Sequence, residues 1–133
     1  MGDPGGYGMN RRLNLPYDEV VDLVKSQLQA QGFGVLTEID VRATLKKKLD
    51  ADWRPYVILG ACNPHLAKRA LEAELEIGLL LPCNVVVYQE GEGSEVMIAD
   101  PKAMMDIACN PALGPVAEEA RQRLERVLAA LGP

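Results

Sequence analysis

The chain has one histidine, one tryptophan, one phenylalanine and three cysteines in 133 residues. Each scarcity removes a class of chemistry. A Ser-His-Asp triad would have to run through His65, and no GxSxG elbow accompanies it. No CxxC pair exists, and His65 follows Cys62 too closely to make the usual ligand pair, so no metal site is expected. There is no Walker loop and no dinucleotide fingerprint, and the GEGSE run at 91–95 lacks the spacing of either, so no cofactor is expected. No apolar run approaches the roughly 20 residues of a membrane span. The opening MGDPGGYG lacks a hydrophobic signal region, which points to the cytoplasm. Three cysteines cannot all pair within one chain, which agrees with a reducing compartment.

What remains is ordinary for a globular protein: 48% hydrophobic residues and 25% charged ones. The net charge of −5 disfavours nucleic acid and anionic membranes as partners. A chain of this length is expected to make one α+β domain over 7–133, after a flexible Gly- and Pro-rich start at 1–6.

The chain is organised around Tyr56–Glu90, YVILGACNPHLAKRALEAELEIGLLLPCNVVVYQE. Tyr56–Ala61 is short, apolar and β-branched in its middle, which reads as a buried strand. Asn63-Pro64 has the form of a helix start, with Asn as cap and Pro at the first helical position. Leu66, Ala67, Ala70, Leu71, Ala73 and Leu75 supply an apolar stripe, and Gly78 a stop. Val85–Tyr88 reads as the next buried strand, with Pro82 just before it. The phrases YVILGACNPHLA and GLLLPCNVVVY resemble the signature of the bacterial and archaeal family known as domain of unknown function 302. The resemblance extends from about Tyr7 to Pro101 and includes DVRATLKKKL. It implies a small α+β domain and carries no established activity and no catalytic residues.

Before this stretch, Tyr7–Leu15 is a weak first strand. A helix opens at Pro16, carries Asp18 and Glu19 in its first turn and ends at Gly32. Phe33–Ile39 is a second strand. Asp40 caps a short helix over Val41–Leu49, on which Arg42, Lys46, Lys47 and Lys48 read as a solvated face. An anion site with Arg54 is the alternative. Beyond Glu90, a turn-rich loop leads into a strand at Glu95–Ala99, which Asp100-Pro101 breaks. Met104, Met105 and Ile107 are expected beneath the sheet, and Gly114-Pro115 opens a last helix.

This order predicts a two-layer α+β sandwich. Its core would be ferredoxin-like βαββαβ, extended by an edge strand and a C-terminal helix. The face of the sheet left bare by the helices would favour a homodimer.

Ala-Cys-Asn-Pro occurs twice, at 61–64 and 108–111, and Pro82-Cys83-Asn84 adds a third Cys-Asn. Each sits at a joint, where Asn caps or turns the chain and Cys serves as a small buried hydrophobe. Cys62, Asn63, His65, Cys83 and Asn84 are the candidate ligand-binding residues. The preferred reading is a ligand-binding or interaction module, with a small molecule as partner and without demonstrable catalysis. The alternative is a thiol-dependent enzyme or redox sensor built on Cys62, beside the positive end of the helix from Pro64. In the ferredoxin-like order the strands flanking this helix run parallel. That order places Cys62 and Cys83 at opposite sheet edges, about 20 Å apart and beyond disulfide reach, with Cys109 nearer to Cys83.

Overall fold

A computed structural model describes residues 6–132. The flexible start expected for 1–6 falls almost wholly outside them. The first strand, β1, is Gly8–Leu13. Helix α1, Tyr17–Ala30, follows at once and buries Val20, Val21, Val24 and Leu28, which recur at helical spacing. Its end is a Schellman motif: the Phe33 N–H donates to the Leu28 carbonyl at 2.9 Å and the Gly32 N–H to that of Gln29 at 3.0 Å. Gly32 sits there at φ 85°, a conformation that side-chain-bearing residues rarely adopt.

Strand β2, Gly34–Asp40, leads into α2, Val41–Leu49, where Asp40 Oδ1 accepts from the Ala43 N–H at 2.9 Å as foreseen. None of the residues of α2 is buried. Strand β3, Tyr56–Cys62, is followed by α3, Pro64–Ala73, and by a 3₁₀ turn over Leu75–Leu80. Strands β4, Cys83–Glu90, and β5, Gly93–Ala99, form a hairpin. Helix α4, Pro101–Asp106, comes next, then a 3₁₀ turn at Pro111–Leu113 and helix α5, Gly114–Ala129.

The fold is α+β: five strands form one sheet in the order β1-β5-β4-β3-β2, every neighbouring pair antiparallel. Val57, Leu59, Ala61, Val85, Val87, Val96 and Ile98 point to one face. They pack with α1 and with Leu124, Val127 and Leu131 of the C-terminal segment as the main core. Complete burial of one such aliphatic side chain is worth about 1.5–3 kcal/mol. A second core joins Leu66 and Ala70 of α3, Ile77, Met105 and Leu113 to Val116, Ala117 and Ala120 of α5. On the opposite face of the sheet Ile39, Ile58, Val86 and Met97 form a register row that remains partly or fully exposed.

The helix-and-sheet content agrees with expectation, and the strand pairing does not. Strands β3 and β4 are antiparallel neighbours, not parallel strands joined by a returning helix, so the ferredoxin-like order is replaced. The expected extra edge strand, β5, lies inside the sheet between β1 and β4, and β1 and β2 form its edges. The cause is local. Helix α3 stops at Ala73, and the 3₁₀ turn over Leu75–Leu80 carries the chain to Cys83, which pairs opposite Ala61. The chain therefore re-enters the sheet at the end it left. Two smaller differences follow the second core. Pro101 starts a helix after breaking the strand, and Met105 is buried there while Ile107 is exposed.

Candidate functional site

Antiparallel pairing places Ala61 opposite Cys83 and Gly34 opposite Cys62, so both cysteines stand at the same end of adjacent strands. This overturns the expected separation of about 20 Å, which rested on parallel strands. Cys109, in contrast, is exposed with φ 53° and lines a different cleft with Asp106, Asn110 and Leu113. It is not the neighbour of Cys83 that the parallel order implied.

Beside the paired cysteines opens a cleft of about 320 Å³. Ala61, Cys62 and Asn63 line it from β3 and its exit, and Leu81, Pro82 and Cys83 from the entry to β4. Leu66, Ala67 and Leu71 of α3 form one wall; Met105, Val116 and Ala120 reach it from the second core; Phe33 and Leu36 close the β2 side. The cleft thus lies on the seam between the two cores.

Asn63 is buried, and its Oδ1 accepts from the N–H groups of His65 at 3.1 Å and Leu66 at 3.2 Å. It caps α3 and at the same time borders the cleft. Its amide nitrogen lies 3.0 Å from where a Cβ on Gly32 would stand, so the glycine that ends α1 also leaves room for the cap of α3. Asn110 repeats the device: Oδ1 accepts from the Ala112 N–H at 3.0 Å, and Nδ2 donates to the Ala73 carbonyl at 3.3 Å and Glu74 Oε1 at 3.2 Å. Two of the three Cys-Asn phrases are therefore cap sites. The third differs, because Asn84 is an exposed strand residue that borders a separate, smaller hollow.

Of the five expected site residues, the cleft gathers Cys62, Asn63 and Cys83. His65 is exposed on the outer side of α3, and Asn84 belongs to the neighbouring hollow, which also touches Cys83. Sequence reasoning missed the wall from Leu81, Pro82, Met105, Val116 and Ala120. One signal was readable: Leu79-Leu80-Leu81-Pro82 is more apolar than a turn requires.

Burial pushes the Cys83 thiol up to about 11, with the neighbouring Cys62 adding to the shift. Burial also raises Cys62. Both sulfurs are thus neutral thiols at pH 7, suited to apolar contact and poor as nucleophiles. Among the described residues no group of three or more His, Cys, Asp or Glu side chains converges as a metal would require. The alternative anion cluster does not assemble. Lys46 pairs with Asp50 at 2.9 Å and Asp52 at 3.5 Å, while Arg54 lies 5.6 Å over the Tyr88 ring and 3.4 Å from Glu90. The charged side chains of α2 form a solvated face.

The family model described as Domain of unknown function DUF302 matches residues 9–131. The chain belongs to this family. It is also similar to a solved structure, the uncharacterized conserved protein DUF302 from Bacillus stearothermophilus, at 31% identity and a TM-score of 0.87. That match covers 94% of this chain and 98% of the other. No curated protein matches the sequence. The DUF302 match extends to 131, so the C-terminal helix belongs to the family pattern and is not an addition beyond Pro101. No helix among the described residues is long and apolar enough to cross a membrane.

Proposed function

We propose that the chain binds a small, largely apolar molecule in the cleft bordered by Cys62, Asn63 and Cys83. One observation carries this reading: a preformed cleft of about 320 Å³ whose walls are almost entirely aliphatic or thiol side chains. That volume falls within the range of about 300–1,000 Å³ typical of ligand sites, and an apolar lining with few polar groups is their usual character. The Asn63 side chain borders the cleft with its acceptor committed to the cap. A reducing compartment such as the cytoplasm suits two thiols that serve as a cleft wall.

Uptake of an environment-sensitive apolar fluorophore tests the reading. Wild type is expected to bind it saturably, and Ala67→Phe, which fills the cleft from a half-exposed helix position, is expected to abolish binding with an unchanged circular dichroism spectrum. Equal binding by Ala67→Phe would place the site elsewhere.

A second reading is favoured by one finding, the pairing that brings Cys62 beside Cys83. In it the two thiols form a redox pair, oxidised by a disulfide donor such as oxidised glutathione, which is reduced to two thiols as the Cys62–Cys83 bond forms. Peptide mapping after such treatment decides between them. A ready Cys62–Cys83 bridge supports the redox pair, and slow mixed disulfides confined to exposed Cys109 remove it.

A further inference from the structure

Two apolar surfaces of opposite charge flank the free edge of the sheet. Strand β2 is that edge, paired only with β3. At its end, no residue of α2 is fully buried, and Leu49 and Trp53 stand 70% and 50% exposed beside it. Among the described residues Arg42, Lys47 and Lys48 of this helix make no ion pair. At the start of β2, Leu36 shares the cleft wall with Leu71 and Gly78. This places the α3 end and the 3₁₀ turn beside the same edge. Leu75 and Leu79 there are 79% and 88% exposed, and Glu72 and Glu76 lie among them. One end of β2 therefore carries apolar side chains with the cations Arg42, Lys47 and Lys48, and the other apolar side chains with Glu76 and with Glu72, which pairs with Lys68 at 3.5 Å.

A nine-residue helix with only Val41 and Leu45 half-buried gains little stability from its own turns, because a helix this short is marginal in water. Leu49 on it and Trp53 beside it leave apolar surface for an outside partner to cover. The surface that matches it in charge and apolarity lies at the opposite end of the same strand. A two-fold axis through the middle of β2 reverses the strand and exchanges its ends. The basic arm of each copy then meets the acidic rim of the other, and both contacts form at once. The strand itself suits this. The bulge between Val35 and Thr37 leaves Thr37–Asp40 regular, and reversal about that segment sets Glu38 against Ile39 and Asp40 against Thr37, with no like charges opposed.

From this we infer that a second copy of the chain covers the β2 edge, with its α2–Trp53 arm lying on Leu71, Leu75 and Leu79 at the mouth of the cleft. The interface joins the ends of β2 and does not use the bare face of the sheet. The arm makes the partner part of the cleft wall, a clause that rests on the binding reading above; the dimer itself does not.

Sedimentation velocity at about 100 µM, where even a small interface assembles, is the test. Wild type is expected at twice 14.5 kDa, and Leu49→Glu with Trp53→Glu at 14.5 kDa, its circular dichroism unchanged because both side chains are exposed. Lys47→Glu with Lys48→Glu is expected to raise the dissociation constant about tenfold at low salt. Mixing that chain with one carrying Glu72→Lys and Glu76→Lys is expected to restore assembly as a mixed dimer. A monomeric wild type would overturn the inference and leave the arm to a different protein. So would a dimer indifferent to the Leu49 and Trp53 changes. Fluorophore uptake measured on the same samples keeps the two readings apart: a dimer without uptake removes the cleft reading alone.

Discussion

The two ends of the sheet are built from the same antiparallel strands and have opposite chemistry. At the end where β3 exits and β4 enters, the cleft is aliphatic and bordered by two thiols. At the other end a hollow of about 610 Å³ is bordered by Tyr17, Asp18, Asp40, Arg42, Gln89 and Glu92. The difference comes from what fills the connections. Around Cys62 and Cys83 the links are helices packed into a second core, and around Tyr17 they are a hairpin turn and the start of a solvated helix. Burial dominates the titration of a group at either end. It lifts Cys83 to about 11 in apolar surroundings, and Tyr17 to about 12 with help from Asp40, Asp18 and Glu38. An apolar ligand therefore has one natural end of this sheet, and a polar one would have the other.

The sharpest way to break the contrast is to spoil the geometry of the cleft end. A Cβ on Gly60 would collide with Thr37 Oγ1 and lie 2.9 Å from the Pro82 ring, and the ring cannot swing aside. Gly60→Val is expected to cost about 3 kcal/mol in urea unfolding and to abolish fluorophore uptake. A loss under about 0.5 kcal/mol would mean that this end of the sheet is loosely built.

The next effect tests whether Cys83 is held neutral. Its folded pKa is raised above the unfolded value of 9.0, so its contribution to stability is complete below pH 9 and is lost as pH rises toward about 11. Wild type should lose about 2–3 kcal/mol more than Cys83→Ala between pH 8 and pH 11. Parallel losses in the two proteins would show Cys83 to be solvated.

The smallest effect sharpens the other end. Tyr17→Phe should leave stability at pH 7 within about 0.5 kcal/mol of wild type. In wild type, absorbance titration should show one phenol ionising near 12 that is missing from the variant. A midpoint at the ordinary value of 10.0 would mean that the phenol is solvated and that the acids around this hollow do not act on it.

Much of the fold was legible because periodicity and caps are local. The stripe Val20, Val21, Val24 and Leu28, the stop at Gly32, and the caps at Asp40 and Asn63 all stand where the residues indicate. Strand order was not legible, because a doubly apolar run such as Tyr56–Ala61 suits a parallel or an antiparallel neighbour equally. The end of α3 was not legible either. Glu74, Leu75 and Glu76 continue a helical pattern in sequence, yet the helix ends at Ala73, whose carbonyl accepts from Asn110 Nδ2, 37 positions away. The chain then returns at the same end of the sheet, where β3 pairs with β4 and Cys62 meets Cys83. The site was legible to the same extent: the Cys-Asn joints marked where it lies, while Met105, Val116 and Ala120 reach it only through tertiary packing.

Helix α5 gives the molecule one more property. Its first half, through Val116, Ala117 and Ala120, belongs to the core beneath α3, and its second half, through Leu124 and Val127, to the core beneath the sheet. A single rigid rod thus threads both. Neither core can melt without loosening the rod that anchors the other, so the chain should lose its structure in one step and not in two. A proline at Arg121, between the halves, would uncouple them and split a single denaturation transition in two.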